Sequence, residues 1–379
     1  MRVLLTGGGT SGHVNPALAI ADIIKKRDPD SVFAYVGTER GIEKRLVEKE
    51  GYKFYPIKIQ GVTRSFSLSN VKTAYLVMTA PAKCKQIIRD FKPDIVIGTG
   101  GYVCWAPLKA AAQMGIPTVV HESNSVPGLA VKRLESKIDL LLTNFKSTAK
   151  GLVRPEKAIN VGNPIRGSFG NLTKQEAREK LGIPDSQRFV ILSFGGSLGA
   201  PKINEAAIDV MRKFTLSHED VVHFHSGGKN CYGNAMQIFA GYGLGKNERM
   251  DIREYIYDMS VYMTAADLII CRAGAMTITE LSMMKKPAIL IPSPYVTDNH
   301  QYKNAEILAK AGAAVLLEES EIDCDRINAE VERIYSDEAL REKMSEAISA
   351  FSSPDVDERI YREITRLIKN KAKIRRNGR

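Results

Sequence analysis

The 379-residue sequence contains no apolar run approaching the ~20 residues that a membrane-spanning helix needs. It opens on a strand-like segment, without the basic-then-apolar stretch of a secretory signal. Cysteine is sparse: Cys84, Cys104, Cys231, Cys271 and Cys324 are odd in number and scattered, which reads as reduced cytosolic thiols, not a disulfide framework. No Gly-x-x-x-x-Gly-Lys-Ser/Thr loop is present, so the chain is not read as a P-loop nucleotidase. It also lacks a zinc finger, an aromatic RNP strand or a recognition helix, so no nucleic acid is expected as a partner. Acids are missing from the last eleven positions, KNKAKIRRNGR, which hold six of the bases behind a net charge of +11. A basic tail of this kind suits an anionic membrane surface, or is a solvated end.

Metal ligands are wanting too. His223 and His225 alternate on one strand face, but no third ligand accompanies them. Three Asp-x-Asp sequences, at 28–30, 323–325 and 355–357, fall at helix ends or turns and read as caps. The expectation is therefore no metal and no cofactor.

What the chain does have is alternation. Strand-like runs fit Val32–Val36, Asp94–Gly98, Thr118–His121, Phe189–Phe194, Val221–His225, Leu268–Cys271, Ala288–Ile291 and Ala313–Leu317, with helical stretches between them. Such βα alternation implies parallel sheets covered by helices on both faces. A Gly-, Pro- and Asn-rich stretch at Asn163–Asn171 marks a boundary. The expected α/β fold has a Rossmann-like domain over 1–163, a second over 164–350, and a C-terminal helix and basic tail over 351–379. Two such halves facing each other would make a deep cleft.

Glycine concentrates at the strand ends. GGGTSGH (7–13) follows the strand Val3–Thr6 and precedes a helix expected behind Pro16. A glycine turn at a helix N-terminus brings backbone N–H groups and partial positive charge to a phosphate. Gly8 and Gly9 belong to this cradle, and Gly100, Gly101 and Tyr102 in GTGGY form a second. The first turn also matches the dinucleotide fingerprint, but the acid that would hold ribose, Glu39, comes late after its strand, which argues against NAD. His13 ends the turn and is the side chain best suited to act as a base near neutral pH. Glu122 in HESN is a second candidate base, with Asn124 beside it. In the second half, Ser197 in GGSLGA can donate to a phosphate. Arg166 and Arg272 either clamp diphosphate oxygens or form surface ion pairs. CRAGAMTITE places a helix N-terminus at Ala275 and a carboxylate, Glu280, where it can accept ribose hydroxyls. Gln301 in DNHQYKNA can reach a sugar hydroxyl. The Asn70–Phe91 stretch is apolar around Tyr75–Met78 and flanked by Lys72, Lys83, Lys85 and Arg89. It reads as a core helix or as a patch resting on a membrane.

GGGTSGHVNPALA, GTGGYV, HESNSVPGL, GNPIR, GGSLGA, CRAGAMTITE and DNHQY occur in one order across nearly the whole chain. Together they resemble the MurG family of peptidoglycan N-acetylglucosaminyltransferases, which convert lipid I to lipid II. The resemblance implies a GT-B fold, with lipid I on the first domain and UDP-N-acetylglucosamine mainly on the second. It implies that Thr10, Ser11, Gly12 and Asn124 approach the UDP-sugar from the first domain. Arg166, Ser197, Ala275, Met276, Thr277, Ile278, Thr279, Glu280 and Gln301 would hold it from the second, with Arg272 in support and the Ile256 backbone meeting uracil. His300 stands where family members often carry a glutamine. The 70–91 helix maps to the family's membrane patch, implying a peripheral protein on the cytoplasmic side of the cell membrane, with cell-wall synthesis proteins as further partners. The expected reaction is an inverting transfer, with His13 as base and Glu122 as the second candidate. The alternatives are a related enzyme acting on another lipid acceptor, a UDP-sugar epimerase, and a non-catalytic UDP-sugar-binding subunit.

Overall fold

The computed structural model describes residues 1–61, 69–166, 169 and 172–377. They form two compact units, Met1–Arg166 with Ser353–Arg379, and Gly167–Ser352.

The first unit is built on β1 (Arg2–Thr6), β2 (Val32–Thr38), β3 (Lys53–Ile57), β4 (Ile95–Gly98), β5 (Thr118–Glu122), β6 (Leu140–Thr143) and β7 (Ala158–Asn160). All pair in parallel, in the order β3-β2-β1-β4-β5-β6-β7. Val3, Leu4 and Leu5 are fully buried, as a central strand covered on both faces requires. The strand order reverses between β1 and β4, and loops leaving the carboxyl ends of such a pair diverge to leave a crevice.

The first helix begins at Ser11, upstream of the start expected behind Pro16. His13 therefore lies in its first turn and Pro16 inside it. Ala17, Leu18, Ile20, Ala21 and Ile24 pack this helix on Val3 and Leu5. The C-terminal helix, Val356–Asn377, belongs to the same unit. Ile360 and Ile364 are fully buried in that core, Arg359 donates to the Asn160 carbonyl, and Lys371 pairs with Asp139 at 2.8 Å.

The helix Ser69–Phe91 covers the other face. Ala80, Cys84, Ile87, Ile88 and Phe91 are buried in the core, while Met78 is 79% exposed. The side chains of Lys72, Tyr75 and Val77, part of the expected membrane patch, lie outside the described residues.

The second unit carries β8 (Phe189–Phe194), β9 (Val221–Ser226), β10 (Met250–Arg253), β11 (Leu268–Cys271), β12 (Ala288–Leu290) and β13 (Val315–Leu316). These are again all parallel, ordered β10-β9-β8-β11-β12-β13, with the reversal between β8 and β11. Its first helix, Lys174–Lys180, starts at a capping box in which the Thr173 hydroxyl accepts the Glu176 N–H and the Glu176 carboxylate accepts the Thr173 N–H.

Ile364→Ala should leave a cavity in the first core and cost about 2–5 kcal/mol, read as a lower urea midpoint for the first unit. An unchanged midpoint would mean that the helix does not contribute to that core.

Candidate active site

Three loops leave adjacent strands of the first sheet: Gly7–Thr10 after β1, Thr99–Gly101 after β4, and Ser123–Gly128 after β5. The first two interlock. A Cβ on Gly101 would sit 2.1 Å from the Gly8 carbonyl oxygen, and one on Gly100 would sit 2.8 Å from His13 Cδ2. Gly100 and Gly101 have positive φ, +102° and +74° respectively. The Thr99 hydroxyl donates to the His13 carbonyl at 2.5 Å and Tyr35 donates to the Gly7 carbonyl at 2.9 Å, which fixes the turn from beneath. His13 Nδ1 lies 3.1 Å from the Thr10 hydroxyl. The Tyr102 ring packs beside Gly9. His13, Thr10, Gly8, Gly9, Gly100, Gly101 and Tyr102 are thus brought together.

Glu122 is buried at the end of β5. Its Oε1 accepts from the Asn124 backbone and side-chain amides at 3.0 and 3.1 Å, and its Oε2 accepts from the Gly128 N–H at 2.9 Å. Burial raises its carboxyl above the usual range, while N–H groups of Gly128, Asn124 and Ser123 pull the other way. Both oxygens are thereby engaged by the loop that carries Asn124.

In the second unit, Gly195–Ala200 turns from β8 into the helix Pro201–Val210 and leaves Ser197 exposed. Gly196 and Gly199 have φ of +94° and +89°. After β11, Gly274 caps the helix Ala275–Met283, whose N-terminus opens at the reversal of strand order. Within Ala275–Glu280 the side chains divide. Ala275, Ile278 and Thr279 are buried, the Thr279 hydroxyl donating to the Ala275 carbonyl, whereas Met276, Thr277 and Glu280 are partly exposed. Desolvation pushes the Glu280 carboxyl up to about 7. Ile256 is buried in the loop after β10. Gln301 Oε1 accepts the Ser293 N–H at 2.9 Å, which orients its amide, and His300 Nδ1 contacts the Thr297 carbonyl at 2.8 Å.

Both arginines are engaged by carboxylates or carbonyls within their own units. Arg166 belongs to the first unit, where its guanidinium donates to both carboxylate oxygens of Glu50, at 2.9 and 2.6 Å, and to Asp22 at 2.6 Å. A bidentate pair reinforced by a second carboxylate fixes the guanidinium fork within the first unit. Arg272 donates to the Ile291 and Pro292 carbonyls, each at 3.2 Å, and pairs with Glu319 at 2.5 Å. It ties β11 to the loop after β12. His223 and His225 both point at Ser193, so their alternation serves an internal network. Among the described residues, no group of three His, Cys, Asp or Glu side chains is placed to hold a metal ion.

Two family models match. Residues 3–141 match the glycosyltransferase family 28 N-terminal domain and residues 190–360 match its C-terminal domain. The chain belongs to glycosyltransferase family 28. It is 40% identical over 375 residues to the Acetivibrio thermocellus UDP-N-acetylglucosamine–N-acetylmuramyl-(pentapeptide) pyrophosphoryl-undecaprenol N-acetylglucosamine transferase, covering 98% of this chain and 100% of that one. A Leuconostoc citreum protein of the same name is 40% identical over 98% of the chain and all of the relative. Among solved structures, Acinetobacter baumannii MurG aligns with a TM-score of 0.75 at 26% identity, over 96% of this chain and 99% of that one. A Neisseria meningitidis UDP-GlcNAc 2-epimerase aligns at 0.68 with 15% identity, over 97% of this chain and 100% of that one, which shows a common fold alone. The family 28 chain therefore has the GT-B architecture of two Rossmann-like domains, a fold that does not by itself separate transferases from epimerases.

In this family 28 chain, Gly101→Ala forces a Cβ into the Gly8 carbonyl at positive φ and should destabilise the first unit by about 1–3 kcal/mol. Gly233→Ala, where a Cβ meets open space inside a helix, should be neutral or stabilising. Urea unfolding of the two variants checks the contrast, and equal midpoints would contradict the interlock.

Proposed function

We propose that the chain transfers N-acetylglucosamine from its UDP donor to the 4-hydroxyl of the N-acetylmuramoyl unit of lipid I, giving lipid II with inversion at the anomeric carbon. The observation that carries this reading is 40% identity over 98% of the chain to a relative named for that transfer. Lipid I binds the first unit and UDP-N-acetylglucosamine mainly the second. The enzyme rests as a peripheral protein on the cytoplasmic face of the membrane, through the exposed Met78 side of the Ser69–Phe91 helix and the basic C-terminal tail.

His13 is the base. In the tautomer whose Nδ1–H donates to the Thr10 hydroxyl, Nε2 carries the lone pair that takes the acceptor proton. As the 4-hydroxyl oxygen attacks the anomeric carbon, the bond to UDP breaks and negative charge builds on the diphosphate. Backbone N–H groups of the Gly195–Ala200 turn, the Ser197 hydroxyl and the N-terminus at Ala275 meet that charge as preorganised dipoles. Met276 and Thr277 line this end, with Ile278 and Thr279 contributing through the backbone. Glu280 accepts the ribose hydroxyls, the Ile256 backbone reads uracil, and Gln301, with Oε1 held by Ser293, offers its amide N–H to the sugar. Thr10, Ser11, Gly12 and Asn124 approach the donor from the first unit, Glu122 setting the Asn124 loop.

His13→Ala should lower kcat by about 10²–10⁴-fold and leave the dissociation constant for UDP-N-acetylglucosamine unchanged. Pre-steady-state turnover and calorimetric titration separate the two, and equal losses would make His13 a binding residue only. A second outcome concerns pH. Glu280 ionises near 7 and accepts hydroxyls most strongly as the carboxylate, so UDP affinity should weaken from about pH 8 to pH 6. Glu280→Gln should flatten that dependence; a wild-type titration flat across the same range would remove Glu280 from the ribose.

A further inference from the structure

Four polar side chains lie fully buried behind the Gly195–Ala200 turn and take no part in the chemistry above. Ser193 on β8 is 0% exposed, as are His223 and His225 on β9, and Asn204 on the following helix is 3% exposed. Burying them has a cost unless they bond to one another. Ser193 Oγ lies 2.8 Å from His223 Nε2 and 2.8 Å from His225 Nδ1. His225 Nε2 lies 3.1 Å from Asn204 Oδ1, and the Asn204 Nδ2–H donates to the Gly227 carbonyl at 3.0 Å. Burial holds His225 down to about 4, so its ring is neutral near pH 7 and carries one proton.

The four side chains form one connected network. The Asn204 amide spends its N–H on Gly227 and turns its oxygen to His225 Nε2. His225 Nδ1 lies between the Ser193 hydroxyl, 2.8 Å away, and the Ser193 carbonyl, 3.1 Å away. Ser193 Oγ also meets His223 Nε2, while His223 Nδ1 has no hydrogen-bond partner. A buried ring nitrogen without a partner carries a free-energy cost.

The outer end of the network is where it acts. Gly227 opens the loop on which the Gly195–Ala200 turn rests. Lys229 N–H donates to the Ser197 carbonyl at 3.1 Å and Asn230 N–H to the Leu198 carbonyl at 3.0 Å. The two loops are in backbone contact: a Cβ on Gly228 would lie 2.1 Å from the Gly199 nitrogen, and one on Gly199 would lie 2.3 Å from the Gly227 oxygen.

We infer that Asn204, His225 and Ser193 are positioning residues for the diphosphate of the donor, holding the Gly227–Asn230 loop against the Ser197 turn so that its N–H groups are aimed before the ligand arrives. This rests on the reading that the second unit binds UDP-N-acetylglucosamine. The network acts on the phosphate-facing turn and not on the uracil or ribose contacts, so its removal separates two probes. Asn204→Ala should weaken UDP binding by tenfold or more in calorimetry and leave uridine binding, followed by saturation-transfer NMR, unchanged. Ser193→Ala deletes one oxygen without a change of shape and should weaken UDP several-fold, again sparing uridine. It guards against a folding failure of the first variant. Wild-type UDP affinity retained in both variants, or parallel losses for UDP and uridine, would overturn the inference. A wild-type protein that binds no UDP would overturn the underlying donor assignment instead.

Discussion

Backbone touching backbone is the constraint on which the rest of the molecule depends. In the first unit the Gly8 carbonyl occupies the space where a residue at 101 would carry its side chain. In the second, Gly199 and Gly228 meet just as closely. Each contact joins loops from the carboxyl ends of neighbouring parallel strands. The first stands beside the reversal between β1 and β4; the second leaves its turn next to the reversal between β8 and β11. Glycine is needed there because any Cβ would push the loops apart. What the close approach yields is a row of N–H groups and a helix N-terminus in fixed positions, a polar surface that need not reorganise when charge appears on it. Ser197 is carried on such a turn, and His13 on the first turn of the helix that follows one.

Charged side chains have a different role in this protein. Arg166 and Arg272 are both engaged with carboxylates and carbonyls of their own unit. Glu122 is engaged with amide N–H groups. These groups fix loops within their own units, and the proposed transfer relies on backbone dipoles for the charge on its leaving group. Such a division suits a reaction in which the charge to be stabilised develops only as the bond to the leaving group breaks.

Much of the fold was legible because buried parallel strands are continuous apolar runs. Phe189–Phe194 and Leu268–Cys271 coincide with β8 and β11. The strands that escape reading are short or polar. β10 is Met-Asp-Ile-Arg at a sheet edge, β3 is an edge strand carrying Pro56, and β7 has three residues. β6 has an apolar run, but its four residues fit a buried helical turn as well. At the site, the glycine turns, His13 and Glu280 announce themselves locally, because a turn and the helix that follows it are contiguous in sequence. Arg166 does not, because its partner Glu50 is 116 residues away. The pair His223 and His225 is visible as an alternation, but its meaning depends on Ser193 and Asn204, which only the packing of β8 and the next helix brings near.

The most direct test is a product analysis. Purified protein is given labelled UDP-N-acetylglucosamine and a short-chain lipid I analogue, with EDTA present, and the products are separated and their glycosidic linkage determined. The account predicts a β-linked disaccharide on the lipid, formed without added divalent metal. A UDP-sugar epimerised at the same donor, or no lipid-linked sugar despite measurable UDP binding, would contradict it.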